Sequence, residues 1–171
     1  MCEVKKKLNL WLASCYDVML QEKHYRDIEP VIICEEFLEQ MGKGIVDYKF
    51  NCFKGKVHSC LVAYNRSLDD PHSVCFDHYD ANWNLTEGVK PQHHKCRRII
   101  EKPKCYDDMV RMCAVLSADF DYVRVDLYEI FGKIYFGEMT FTPTGCIMSF
   151  YTQQMLNELG NQLILPNKSI C

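Results

Sequence analysis

The stretch RVDLYEIFGKIYFGEMT, residues 124–140, constrains the fold most. Strand side chains point alternately to two faces, so Val123, Val125 and Leu127 fall on one side and Arg124, Asp126 and Tyr128 on the other. Gly132 is the residue best suited to reverse the chain. A reversal with an odd number of loop residues sets Asp126 opposite Glu138 and Arg124 opposite Thr140, with facing Cβ atoms about 5 Å apart. A slip of one residue would move Glu138 to the other face. Two carboxylates at that distance repel, and the pattern asks what lies between them.

The chain has 171 residues, 48% of them hydrophobic, enough for one domain with its own core. Its formal charge of -3 provides no basic field, and KKK at 5–7 and KCRR at 95–98 read as solvated faces, so nucleic acid is excluded as a partner. No apolar run approaches the ~20 residues of a membrane span, and a cytoplasmic protein is expected. The eleven cysteines are odd in number and include no CxxC. Cys34, Cys52, Cys60, Cys75 and Cys113 lie in apolar or alternating stretches and are expected to be reduced, small hydrophobic residues. QHHKC at 92–96 lacks a second ligand pair at zinc spacing.

KKKLNLWLASC has the order of a lipoprotein signal, but its apolar part is short and broken by Asn9. Val4, Leu8, Trp11, Leu12 and Cys15 instead follow one helical face. VIICEEFL, rich in β-branched residues, reads as a buried strand. VDYKFNCF alternates, with Val46, Tyr48, Phe50 and Cys52 on one face and Asp47, Lys49 and Asn51 on the other, and KGK turns it into VHSCLVAY. Residues 65–104 are irregular around one short strand at SVCFDHYD. CYDDMVRMCAVLSADF is a helix with Tyr106, Met109, Val110, Cys113 and Leu116 inward, and SFYTQQMLNELG is a shorter one ending at Gly160, separated by TPTG from the hairpin. The class is α+β: an antiparallel sheet with helices on one face.

The plain reading of the 124–140 hairpin is an amphipathic surface with one wet side. The chemical reading is a hard-oxygen site, since Mg²⁺ takes one or two carboxylates and completes its shell with water and phosphate oxygens. Arg124 beside it would meet phosphate bidentately.

CEEFL at 34–38, VDYKF at 46–50, and RVDLY followed by YFGEMTFTPTG at 135–145 resemble the C-terminal half of an ATP-grasp enzyme. KKKLNLWL, YRDIEPVIICEEFL, DYKFNCFKGK and FDHYDANWNL resemble more narrowly its teichuronopeptide-biosynthesis (TupA-like) branch, bacterial proteins linked to cell-surface polymers. The resemblance runs over nearly the whole chain. It implies residues 1–171 as one C-terminal lobe, with 1–20 a helix left from the preceding lobe, and ATP and Mg²⁺ as cofactors. It also implies that Glu35 and the backbone of Leu38 meet adenine, that Asp47 holds ribose, and that Lys49 and Arg124 act on phosphate. Asp126 and Glu138 would hold the metal. Thr140 stands where an Asn usually completes a second metal site, and a hydroxyl is a poorer ligand.

The implied activity is ATP-dependent carboxylate–amine ligation through an acyl-phosphate, on a small-molecule or polymer-precursor substrate. The motifs begin at about the helix ending the first lobe, and no Gly-rich phosphate loop occurs in the 171 residues. A truncated ATP-grasp protein is therefore expected, with a separate N-terminal lobe as a partner. Two other readings stand beside it: a non-catalytic nucleotide-binding remnant, and a metal-dependent glycosyltransferase using Asp126 and Glu138 with the Asp77, Asp80 and Trp83 loop.

Overall fold

A computed structural model describes residues 2–14, 22–38, 44–67, 70, 73–93 and 99–164. They fall into two compact units, residues 1–38 with 142–147, and residues 39–141 with 148–171.

The larger unit is built on a sheet of order β4-β3-β2-β1-β5-β6, antiparallel throughout. Its strands are β1 (Asp47–Phe53), β2 (Lys56–Tyr64), β3 (Cys75–Asp80), β4 (Leu85–Thr86), β5 (Val123–Ile130) and β6 (Lys133–Thr140). Both long hairpins turn on two residues with positive φ, Lys54-Gly55 and Phe131-Gly132, the twist that matches antiparallel strands. The sheet and the α+β class are those expected.

The β5–β6 register is the expected one, reached by a different route. Asp126 pairs with Glu138 and Arg124 with Thr140, but Ile130 pairs with Lys133 across a two-residue turn. The missing residue is supplied by a bulge, for Leu127 pairs with Phe136 and leaves Gly137 unpaired. Glycine fits there without displacing its neighbours: a Cβ would come to 2.9 Å from the Tyr128 ring and 3.0 Å from the Asp126 carbonyl oxygen.

The apolar face carries Tyr48, Phe50 and Cys52 of β1, Cys60 and Val62 of β2, and Val123, Val125 and Leu127 of β5. Helix α2 (Tyr106–Leu116) covers it with Tyr106, Met109 and Cys113 buried and Val110 and Leu116 partly so, the stripe that its 3.6-residue period dictates. Each such buried side chain contributes about 1.5–3 kcal/mol. The segment before α2 is tied to the same core. Trp83 stacks on Tyr79 at 4.5 Å and donates its indole N–H to the Ile100 carbonyl, and the Tyr106 hydroxyl donates to Ala81.

On the opposite face Leu61 and Phe53 pack with Tyr151 and with Met155 and Leu159 of α3 (Gln153–Asn161). Thr152 caps α3 by accepting from the Met155 N–H, and the helix runs one residue past Gly160. Helices α2 and α3 therefore lie on opposite faces of the sheet, not on the one face expected, because Phe53 and Leu61 give the second face an apolar patch of its own. The shorter α3 leaves part of that face to polar side chains.

The smaller unit holds α1 (Cys2–Leu12), the expected N-terminal helix. Cys15 and the rest of 15–21 lie outside the described residues. The apolar stripe of α1 is not sealed, since Val4, Trp11 and Leu12 are exposed. A cavity of about 400 Å³ lies between Leu8 and Trp11 of the helix and Pro30, Val31, Ile32 and Ile33. The expected strand at VIICEEFL does not form: residues 31–38 carry no regular structure, and Val31, Ile33 and Phe37 are exposed. Strand propensity expresses fit to a pleated, half-buried surface, and among the described residues no strand pairs with this run.

Cys52, Cys60 and Cys113 are free and buried, as expected, and Cys34 and Cys146 are free and exposed. Cys75 departs from the expectation of a reduced thiol, for it is disulfide-bonded. A bridge depends on Cα separation in space, which linear spacing does not show. Among the described residues no helix is long and apolar enough to cross a membrane, and no group of three or more His, Cys, Asp or Glu is arranged to hold a metal ion. Residues 94–96 of QHHKC lie outside the described ones.

Candidate functional site

Strands β1, β5 and β6 bring six of the expected site residues onto one face. Alternation sets Asp47 and Lys49 on the polar side of β1, and the β1–β5 register places Lys49 opposite Asp126. The hairpin adds Glu138 and Thr140. Asp126 is 1% exposed, whereas the Glu138 side chain is 60% exposed, so the pair runs from the floor of the site to solvent.

Arg124 lies between the two carboxylates. Its Nε donates to Asp126 Oδ1 at 2.7 Å, while Nη2 donates to Asp126 Oδ2 at 2.8 Å and to Glu138 Oε1 at 2.8 Å. The same Nη2 reaches Thr140 Oγ1 at 3.0 Å, and the Thr140 hydroxyl donates to Glu138 Oε1 at 3.1 Å. Lys49 Nζ contacts Asp126 Oδ2 at 2.5 Å and Asp47 Oδ2 at 2.7 Å. Arg66 reaches Asp47 from the rim at 3.9 Å. Three carboxylates thus face three cations.

Burial raises the Asp47 carboxyl above the usual range, with the charge of Lys49 working against it. Burial also works against the Arg124 charge, but the hydrogen bonds and charge of Asp126 outweigh it and raise the guanidinium. Tyr128 is pushed up to about 12 by burial and by Asp47 and Asp126. One oxygen of Asp47, Oδ1, is buried without a hydrogen-bond partner. A buried carboxylate oxygen left open is an acceptor for a hydroxyl group.

The donor set suits Mg²⁺, which needs only one or two carboxylates when phosphate and water complete its shell. Asp126 and Glu138 would hold it, with Thr140 beside them, once their contacts to Lys49 and Arg124 give way. The orphaned Asp47 oxygen suits a ribose hydroxyl in the same way. Glu35 and Leu38 belong to the smaller unit, where Glu35 is exposed and Leu38 is half-buried in irregular backbone.

Two features escaped the sequence reading. Arg66 follows β2 with no pattern marking it. Asn51 was legible as a polar-face residue, yet it is fully buried: its Nδ2 donates to Ser59 Oγ at 3.2 Å and to the Tyr151 hydroxyl at 3.0 Å, and its Oδ1 accepts from the Tyr122 hydroxyl at 3.0 Å. This network floors the sheet beside Arg124, its β5 neighbour in register. The Asp77, Asp80 and Trp83 loop is engaged elsewhere. Asp77 accepts from the Tyr64 hydroxyl at 2.8 Å, and Asp80 closes its turn by accepting from Asn82 and Asn84.

The family model described as TupA-like ATPgrasp matches residues 1–164. The chain belongs to the TupA-like ATP-grasp family. No curated protein and no solved structure matches it. Membership of the TupA-like family supports an ATP-grasp type of function, and the α+β sheet of the larger unit is consistent with it.

Proposed function

We propose that the polar face of β1, β5 and β6 binds Mg·ATP and that its ancestral chemistry is ATP-dependent ligation of a carboxylate to an amine in bacterial cell-surface polymer biosynthesis. The observation that carries this reading is the linked set Asp47–Lys49–Asp126–Arg124–Glu138 on one sheet face. A hydrophobic set of similar volume would often be as stable as a buried ion-pair network, so stability alone does not account for these residues.

In this reading Lys49 and Arg124 bind the phosphates, Asp47 orients ribose through its open oxygen, and Asp126 and Glu138 hold the metal. Bound Mg²⁺ would neutralise charge developing on the transferred phosphoryl group. The chain's part is positioning and charge neutralisation, which suits transfer to a carboxylate and its later attack by an amine. Glu35 and the Leu38 backbone are the proposed adenine contacts. A site limited to binding is the alternative, favoured by the closed ion pairs that any ligand must first open.

Equilibrium dialysis with labelled nucleotides in Mg²⁺ tests the reading, with hydroxylamine added to trap an activated acid as its hydroxamate. Binding of ATP in preference to a sugar nucleotide is expected. Preferential binding of the sugar nucleotide would contradict it and revive the glycosyltransferase reading.

A further inference from the structure

We infer that Lys49 and Arg124 keep the site's carboxylates closed to metal until a phosphate draws them away, so that the divalent ion and the nucleotide enter only together. This rests on the Mg·ATP reading and adds to it a coupling role for Lys49.

The side chain of Lys49 is largely buried and sits within 2.5 Å of Asp126 and 2.7 Å of Asp47. Arg124 grips both oxygens of Asp126 and one of Glu138. Each carboxylate that a metal ion would use therefore already touches a fixed cation, and each of these cations is held by carboxylate. A divalent ion arriving alone would meet two positive groups with nothing to draw them off. A metal-free nucleotide would bring its phosphates to cations already taken, beside carboxylates that repel them.

Arrival of both permits an exchange. Phosphate oxygens accept from Lys49 and Arg124, while Asp126 and Glu138 turn to the ion, and no buried charge is left alone at the end. Breaking a buried pair from one side leaves an uncompensated charge, which is what makes either ligand by itself a poor one. The effect is reciprocal: whatever factor the metal adds to nucleotide affinity through this exchange, the nucleotide adds to metal affinity. Arg66, exposed and 3.9 Å from Asp47, is positioned to take over that carboxylate when Lys49 leaves.

Calorimetric titration of the 171-residue chain with Mg²⁺ alone, with ATP in EDTA, and with Mg·ATP tests the coupling, repeated on Lys49→Met, Asp126→Asn and Glu138→Gln. The wild-type chain is expected to bind Mg·ATP far better than either component. Lys49→Met should gain nucleotide-free Mg²⁺ binding, and Asp126→Asn, which removes the carboxylate charge that Lys49 and Arg124 share, should bind metal-free ATP about fivefold or more tighter than wild type. Glu138→Gln alters an exposed carboxylate and keeps the test valid should the buried variant fail to fold; it should shift metal-free ATP affinity in the same direction by less. Single-ligand binding by the wild type as tight as Mg·ATP binding would overturn the coupling and leave the Mg·ATP reading standing. So would the absence of both gains in the variants that fold. No binding of Mg·ATP to the wild type would overturn the reading itself.

Discussion

Asp126 faces Glu138 across a hairpin whose turn has an even number of residues, because the unpaired Gly137 restores the register. The bulge is what converts an ordinary two-residue turn into a pairing of two carboxylates on the polar face. It also places Thr140 opposite Arg124, so that one guanidinium bridges both strands.

Gly137→Val is expected to destabilise the chain by about 1–3 kcal/mol, the usual effect of overpacking. The new side chain would meet the Tyr128 ring and the Asp126 carbonyl at under-van-der-Waals distance. Urea unfolding measures the loss, and cross-strand proton contacts between Asp126 and Glu138 should vanish from the NMR spectrum. A variant as stable as the wild type with those contacts intact would show that the bulge tolerates a side chain.

Asn51→Ala should lower stability by about 2–3 kcal/mol, since it removes three hydrogen bonds from a fully buried cluster. Because that cluster lies beside Arg124, Mg·ATP affinity should fall in the folded variant as well. Chemical denaturation and nucleotide titration of the same sample separate the two effects, and an unchanged denaturation midpoint would contradict the assignment.

His78 contributes a pH dependence. Its Nδ1 lies 2.6 Å from Thr86 Oγ1, its Nε2 is buried without a partner, and burial, aided by nearby His58, lowers its pKa from 6.5 to about 4. The unfolded chain therefore binds the proton more readily than the folded one. The stability held by the neutral ring is complete above pH 6.5 and lost as pH falls toward 4, a total on the order of 3 kcal/mol. Asp47, raised by burial, acts with the opposite sign, so the comparison is with His78→Gln, which shares it. The stability difference between wild type and His78→Gln should shrink between pH 6.5 and 4, whereas parallel curves would contradict a buried neutral histidine.

How far the sequence was legible follows from period and partner. Alternation in VDYKFNCF and RVDLYEI identified both faces of the central strands, because one face had to meet α2. The 3.6-residue stripe of Tyr106, Met109 and Cys113 identified that helix for the same reason. VIICEEFL misled because β-branched composition speaks for a strand only beside a partner strand, and among the described residues none pairs with it. The Asp126–Glu138 pairing was readable in outcome but not in cause, since a bulge and a longer loop shift register alike. Arg66 carried no signal, as an exposed arginine after a strand is marked only by what it reaches. Cys75 gave none for its bridge, which depends on distance in space. Asn51 showed its face but not its burial, which α3 and Tyr151 impose from a distant part of the chain.

The central claim is that Asp126 and Glu138 act as one metal site in the presence of nucleotide. Electron paramagnetic resonance of Mn²⁺, standing in for Mg²⁺, reads it directly when wild type, Asp126→Asn and Glu138→Gln are titrated with ATP present at fixed pH. Bound Mn²⁺ on the wild-type chain, with affinity lowered about tenfold or more in each folded variant, is the expected result. Equal Mn²⁺ binding by all three proteins would contradict the account.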